Sequence, residues 1–202
     1  MVVGSELGGS DFDDLPSARG WYTDRVGPPD TKFTLTPIVV VMGVSGSGKT
    51  TVGRRLAENL GFDFCDADDL HPVRNVEKMR RGIPLSDEDR AYWLRSLREH
   101  MDAKRDRGEP MVLACSALKE TYRHALGIEG SLTALVYLRA TPELVERRLR
   151  ERKGHFMAPS MVPSQFALLE EPSDAVVVDA DQSAESIVLR IERELGLGPN
   201  SA

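Results

Sequence analysis

Three features of the sequence predict an α/β fold with a five-stranded parallel sheet flanked by helices on both faces. Five short apolar runs recur along the chain, and each is followed by a stretch with helical spacing of its apolar residues. Met111–Cys115 and Leu132–Leu138 are continuous runs, the mark of strands covered on both faces. The first run, Ile38-Val39-Val40-Val41-Met42, leads directly into Gly43-Val44-Ser45-Gly46-Ser47-Gly48-Lys49-Thr50. In a sheet of this kind, ligands collect at the carboxyl ends of the strands.

The first strand is expected at about Pro37–Met42, and the helix after the glycine loop at about Thr51–Leu60, with Gly61 as its left-handed cap. Phe62-Asp63-Phe64-Cys65 reads as the second strand, ending at Asp66-Ala67-Asp68-Asp69. A helical piece follows from Pro72, a residue suited to a first turn, to Gly82. Ser86-Asp87-Glu88-Asp89 resembles a capping box. It opens a long helix that carries Leu94, Leu97 and Met101 on one face and ends near Gly108. Met111–Cys115 and Leu132–Leu138 are the third and fourth strands. Ser116 is the expected N-cap of the helix after the third. Thr141-Pro142-Glu143 starts another helix, and a last strand at Ala175–Val178 precedes a terminal helix from Ser183 to Gly196.

The chain has 202 residues, enough for one domain of this class. We place it at 37–202, behind a leader (1–36) rich in Gly, Ser, Asp and Pro that shows no strand or helix period and is expected to be disordered. Hydrophobic residues make up 41% and charged residues 29%, a globular composition. A formal charge of −6 argues against a general nucleic-acid binder. No apolar run approaches the roughly twenty residues that span a bilayer, and no secretory signal pattern is present. Cys65 and Cys115 lack Cys-x-x-Cys spacing, so two reduced thiols in a cytoplasmic protein are expected.

The glycine loop fits G-x-x-x-x-G-K-[ST] at every fixed position, between a strand and a helix. Gly43, Gly46 and Gly48 let backbone N–H groups of Val44, Ser45, Ser47 and their neighbours converge on phosphate oxygens. The helix terminus at Thr50 and Thr51 adds positive potential. Lys49 supplies a charge to the β- and γ-phosphates and Thr50 a hydroxyl to Mg²⁺, so ATP and Mg²⁺ are the expected cofactors. The third strand ends in Ser116 without a carboxylate, which turns attention to the second. Asp66 is assigned to the metal shell, and Asp68 to the acceptor hydroxyl as hydrogen-bond acceptor and general base. His71, Arg74, Asn75 and Lys78 follow in one short stretch, with Arg74 and Lys78 on one helix face. Lys119 and Arg123 also share a helix face, and a cation pair there suits an anionic acceptor. Arg148 and Arg152 form the cationic root of a lid over about 152–166, read as a mobile loop that holds Pro159, Pro163 and Gln165 and closes over ATP.

Several runs in order resemble the gluconokinase family, related to shikimate and nucleoside-monophosphate kinases. They are Met42–Lys49, Asp68-Asp69-Leu70-His71-Pro72, Asn75–Met79, Gly82–Arg90 with Trp93-Leu94, Cys115–Lys119, Arg152–Met157 and Ser164-Gln165-Phe166 through Glu170. The resemblance covers about Pro37 to Leu195. It implies ATP-dependent phosphorylation of the terminal hydroxyl of D-gluconate. Asp68, His71, Arg74 and Arg123, with Lys78 and His155, would line the acceptor site, while Lys49, Arg148 and Arg152 hold the nucleotide. It also implies a homodimer. Asp181-Gln182-Ser183 sits where related kinases contact adenine, often with proline in place of Ser183, and Gln182 is the expected nucleotide contact.

A shikimate-type kinase is the nearest alternative, since it also carries carboxylates after its second strand. That family shows a glycine triplet where Cys115–Lys119 stands here. A GTPase would need Asn-Lys-x-Asp and Asp-x-x-Gly, and neither is present. A regulatory ATP-binding module without activity stays open at this stage.

Overall fold

The computed structural model describes residues 38–128, 133–151 and 162–197. The expected leader, and the lid from Arg152 through His155 to residue 161, lie outside the described residues. Strands β1 (Ile38–Met42), β2 (Asp63–Asp66), β3 (Met111–Ala114), β4 (Thr133–Arg139) and β5 (Val176–Asp179) form one sheet. Their order is β2-β3-β1-β4-β5, and every neighbouring pair is parallel. All five carboxyl ends therefore lie along one edge, with β1 and its glycine loop in the middle. Seven helices pack around the sheet among the described residues: α1 (Lys49–Leu60), α2 (Val73–Arg80), α3 (Asp87–Asp106), α4 (Glu120–Leu126), α5 (Pro142–Glu151), α6 (Val162–Leu168) and α7 (Ala184–Leu195).

β1 shows why its run had to be continuous. Val39 and Val41 enter one core with Val52 and Leu56 of α1 and Val188 and Ile191 of α7. Ile38, Val40 and Met42 enter the opposite core with Trp93, Leu94, Leu97 and Met101 of α3. Burying a side chain such as Leu56 completely stabilises the fold by about 2 kcal/mol. None of the described helices is long and apolar enough to cross a membrane.

Local sequence set most helix boundaries. Ser86 accepts from Asp89 N–H while the Asp89 carboxylate accepts from Ser86 N–H, a reciprocal box that opens α3. Ser183 caps α7 through Ser186 N–H, and Gly61 and Gly196 close α1 and α7 in the left-handed conformation.

Two expectations are corrected. α4 begins at Glu120, so Lys119 rather than Ser116 occupies the N-cap. The chain first makes a turn in which Ala117 takes φ 44°, and a helix cannot start through that left-handed residue. In the lid, residues 162–166 belong to a helix instead of a loop. Pro163 sits in its first turn, where a missing N–H costs nothing. Val162 is buried in the core and Phe166 packs against it.

Candidate active site

The glycine loop is held close to the sheet by residues that leave no room for side chains. A Cβ on Gly43, at φ 145°, would lie 2.8 Å from the Leu138 carbonyl oxygen. One on Gly46, at φ 83°, would lie 3.2 Å from Val145 Cγ1. The cradle thus depends on glycine for both conformation and space. Lys49 Nζ donates to the Val44 carbonyl at 3.1 Å, folded along the loop. Ser47 Oγ is buried with no hydrogen-bond partner among the described residues.

At the end of β2 the Asp66 carboxylate makes two bonds. Oδ2 accepts from Thr50 Oγ1 at 2.7 Å, and Oδ1 accepts from Asp68 N–H at 3.1 Å. The second bond caps a 3-10 turn over Ala67–Leu70, which sets Asp68 just beyond Asp66 on the sheet edge. Thr50 and Asp66 are therefore adjacent hard oxygen donors at the start of α1, a set that suits Mg²⁺ with water and phosphate completing its shell. Among the described residues no three His, Cys, Asp or Glu side chains gather into a closed metal cage.

Two clefts meet at the loop. Ser45, Lys49, Asp68 and His71 line one, together with Arg90 and Trp93 of α3, Ser116, Tyr122 of α4 and Gln165 of α6. Gly46, Ser47, Gly48 and Thr51 line the other, with Arg148 of α5 and Gln182. Arg148 is fixed at both ends of its fork: Nη1 donates to Ser47 O at 2.8 Å and Nη2 to Ala180 O at 2.7 Å. Gln165 Oε1 accepts from Ser45 N–H at 2.6 Å, tying α6 to the loop. The imidazole of His71 stacks on Trp93, and its Nδ1 is buried with no hydrogen-bond partner among the described residues. Burial, with the Arg90 charge nearby, pushes the His71 pKa down to about 4, so the ring is neutral at physiological pH. Burial lifts the Cys115 thiol at the end of β3 to about 12, which excludes it as a nucleophile.

Other residues expected at the acceptor are not among those that line this cleft. Lys78 grips the Asp89 carboxylate with bonds of 2.7 and 2.8 Å, and that ammonium, with Ser86 N–H, holds the Asp89 pKa at about 2. Arg74 is exposed on α2, outside the residues that line the cleft. Lys119 pairs with Asp87 at 3.3 Å and lies over the Tyr122 ring. Arg123 is 6% exposed, and its Nη1 donates to the carbonyls of Ala117, Leu118 and Glu170 at 3.0–3.3 Å. Through these bonds it braces the turn after β3. Lys119, as the N-cap of α4, lies outside the helix face it was expected to share with Arg123, and helical spacing could not tell which carboxylates or carbonyls would claim these cations. Conversely, Arg90 and Tyr122 were not expected in the site. The i, i+3 spacing of Arg90 and Trp93 just inside the capping box was the available signal, because it puts both on the core side of α3 at its sheet-edge end.

Residues 38–183 match a family profile described as an AAA domain. The chain is 45% identical over 177 residues to the probable gluconokinase of Xenopus tropicalis, covering 78% of this chain and 93% of that relative. It is 43% identical over 155 residues to the thermoresistant gluconokinase of Escherichia coli K12, covering 75% and 89%. The gluconokinase of Sinorhizobium meliloti 1021 superposes with a TM-score of 0.72 at 39% identity, covering 80% of this chain and 93% of that one. A shikimate kinase of Bacteroides thetaiotaomicron, at TM-score 0.57 and 20% identity, shares the fold alone.

Proposed function

The chain belongs to the gluconokinase family of P-loop kinases, and from that we propose that it transfers the γ-phosphoryl group of ATP to the terminal hydroxyl of D-gluconate, giving 6-phospho-D-gluconate and ADP. The observation that carries this assignment is the shared wall of the two clefts. Ser45 and Lys49 border one and Gly46 to Gly48 border the other, so donor and acceptor meet across a single loop.

Phosphoryl transfer needs positioning and charge neutralisation more than covalent help. The loop N–H groups and Lys49 hold the phosphates, while Arg148 steadies the loop from behind and Gln182 borders the nucleotide. Arg152 joins Lys49 and Arg148 on the strength of the family resemblance. Asp68 accepts the hydrogen bond of the attacking hydroxyl and takes its proton as transfer proceeds. His71, neutral, offers its ring nitrogens to substrate hydroxyls. Mg²⁺ would be held by Thr50 directly and by Asp66 through water, and it would offset phosphate charge. On the family resemblance we also read the enzyme as a homodimer, and its two unpaired cysteines suit a cytoplasmic protein.

The experiment is ADP release from ATP and Mg²⁺ across D-gluconate, shikimate, other sugar acids, free sugars, nucleoside monophosphates and an acceptor-free blank. Release with gluconate well above every other acceptor is expected. Preference for another acceptor would keep the kinase and overturn the substrate; blank rates throughout would overturn the enzyme.

A further inference from the structure

D-Gluconate differs from a simple polyol by one carboxylate, so an enzyme selective for it needs a cation at the far end of the acceptor cleft. Of the cations that spacing suggested, Lys78 pairs with Asp89, Lys119 with Asp87 and Arg123 with three carbonyls, while Arg74 is exposed on α2 outside the cleft lining. His71 beside the cleft is neutral at physiological pH. Among the described residues that line the cleft, the cations are Lys49, which serves the phosphates, and Arg90.

We propose that Arg90 binds the carboxylate of the acceptor and is the residue that selects a sugar acid over an uncharged polyol. The proposal rests on the gluconokinase reading and adds a specificity determinant to it. Arg90 is built in place by its surroundings. The capping box sets the first turn of α3, where Arg90 stands. Its Nη1 donates to Leu85 O at 2.5 Å and more weakly to Ser86 O at 3.4 Å. The guanidinium lies 5.4 Å from the centroid of the Tyr122 ring. The neighbouring Asp87 is 4.0 Å from Nη1, but its carboxylate is also claimed by Lys119 and the Tyr122 hydroxyl. Nε and Nη2 have no hydrogen-bond partner among the described residues, which leaves two donors of the fork for a planar carboxylate. At 16% side-chain exposure the charge is largely shielded from water, where a charge-assisted pair counts for more than on an open surface.

The test compares D-gluconate with D-glucitol, which has the same carbon chain with an alcohol in place of the carboxylate. Affinities are measured by titration into enzyme loaded with a non-hydrolysable ATP analogue, and kcat and KM by ADP release. Arg90→Gln is expected to weaken gluconate roughly 10- to 100-fold, with KM rising and kcat nearly kept, the size of a lost charge-assisted pair. Its preference for gluconate over glucitol should fall toward unity. Arg90→Lys keeps the charge without the fork, should lose less, and decides the matter if the Gln variant does not fold. Unchanged gluconate affinity in a folded variant, or equal weakening of both compounds, would overturn the assignment and leave Arg90 a brace for Leu85. Wild-type enzyme inactive on gluconate would instead overturn the gluconokinase reading itself, and the Arg90 proposal with it.

Discussion

The imidazole of His71 lies flat against the indole of Trp93, with ring centroids 4.2 Å apart and planes inclined by 14°. Trp93 is itself anchored, since its Nε1–H donates to Ala67 O at 2.7 Å. One side chain of the 3-10 turn region is thus stacked on α3, and Asp68 is held between the Ala67 bond and the His71 stack.

The stack has a pH signature. Burial lowers the His71 pKa from about 6.5 to about 4, so between these values the unfolded chain binds a proton that the folded chain does not. Stability from this group is complete above pH 6.5 and is lost as pH falls toward 4. The melting temperature should drop between pH 7 and 5 in the wild type, and less steeply in His71→Asn. Identical slopes would show that another group carries the dependence.

Lys49→Met should abolish turnover and leave the fold intact, as judged by circular dichroism and melting. Asp68→Asn should lower kcat by about 10²–10⁴ with ATP binding retained, the range for loss of a general base. Normal activity in either variant would remove that residue from the mechanism.

The bond from Thr50 to Asp66 links the phosphate loop to the end of β2. Asp66→Asn keeps one acceptor for it but removes the charge. The Mg²⁺ concentration for half-maximal rate should rise at least tenfold, the usual cost of altering an outer-shell carboxylate. An unchanged Mg²⁺ dependence would count against a metal role for Asp66.

Arg123→Leu separates a structural cation from a substrate ligand. Losing its bonds to three carbonyls should cost about 3 kcal/mol in urea unfolding. The KM for gluconate should move little in the fraction that stays folded. A raised KM at full stability would return Arg123 to the acceptor site.

Much of the fold was legible because its determinants are local. Apolar runs marked four strands and the Phe62–Cys65 stretch marked the second, each to within a residue or so, and Ser86, Ser183, Gly61 and Gly196 marked helix ends through bonds that reach only three or four residues. The turn at Ala117 was not legible. Its left-handed backbone is braced by Arg123 together with the Glu170 carbonyl, a partner 47 residues away.

The sequence alone determined the parallel α/β sheet, the phosphate loop at the end of β1 and the carboxylates Asp66 and Asp68 on the neighbouring edge. These follow from periodicity, capping and glycine geometry, which act over a few residues. Only the tertiary structure decided which cations the fold engages and which it leaves lining the cleft beside the phosphate loop. Lys78, Lys119 and Arg123 were each taken up by a partner brought in by the fold, while Nε and Nη2 of Arg90 have no hydrogen-bond partner among the described residues. A charge's task depends on which opposite charge or carbonyl the fold brings within about 3 Å, and spacing along one helix cannot encode that.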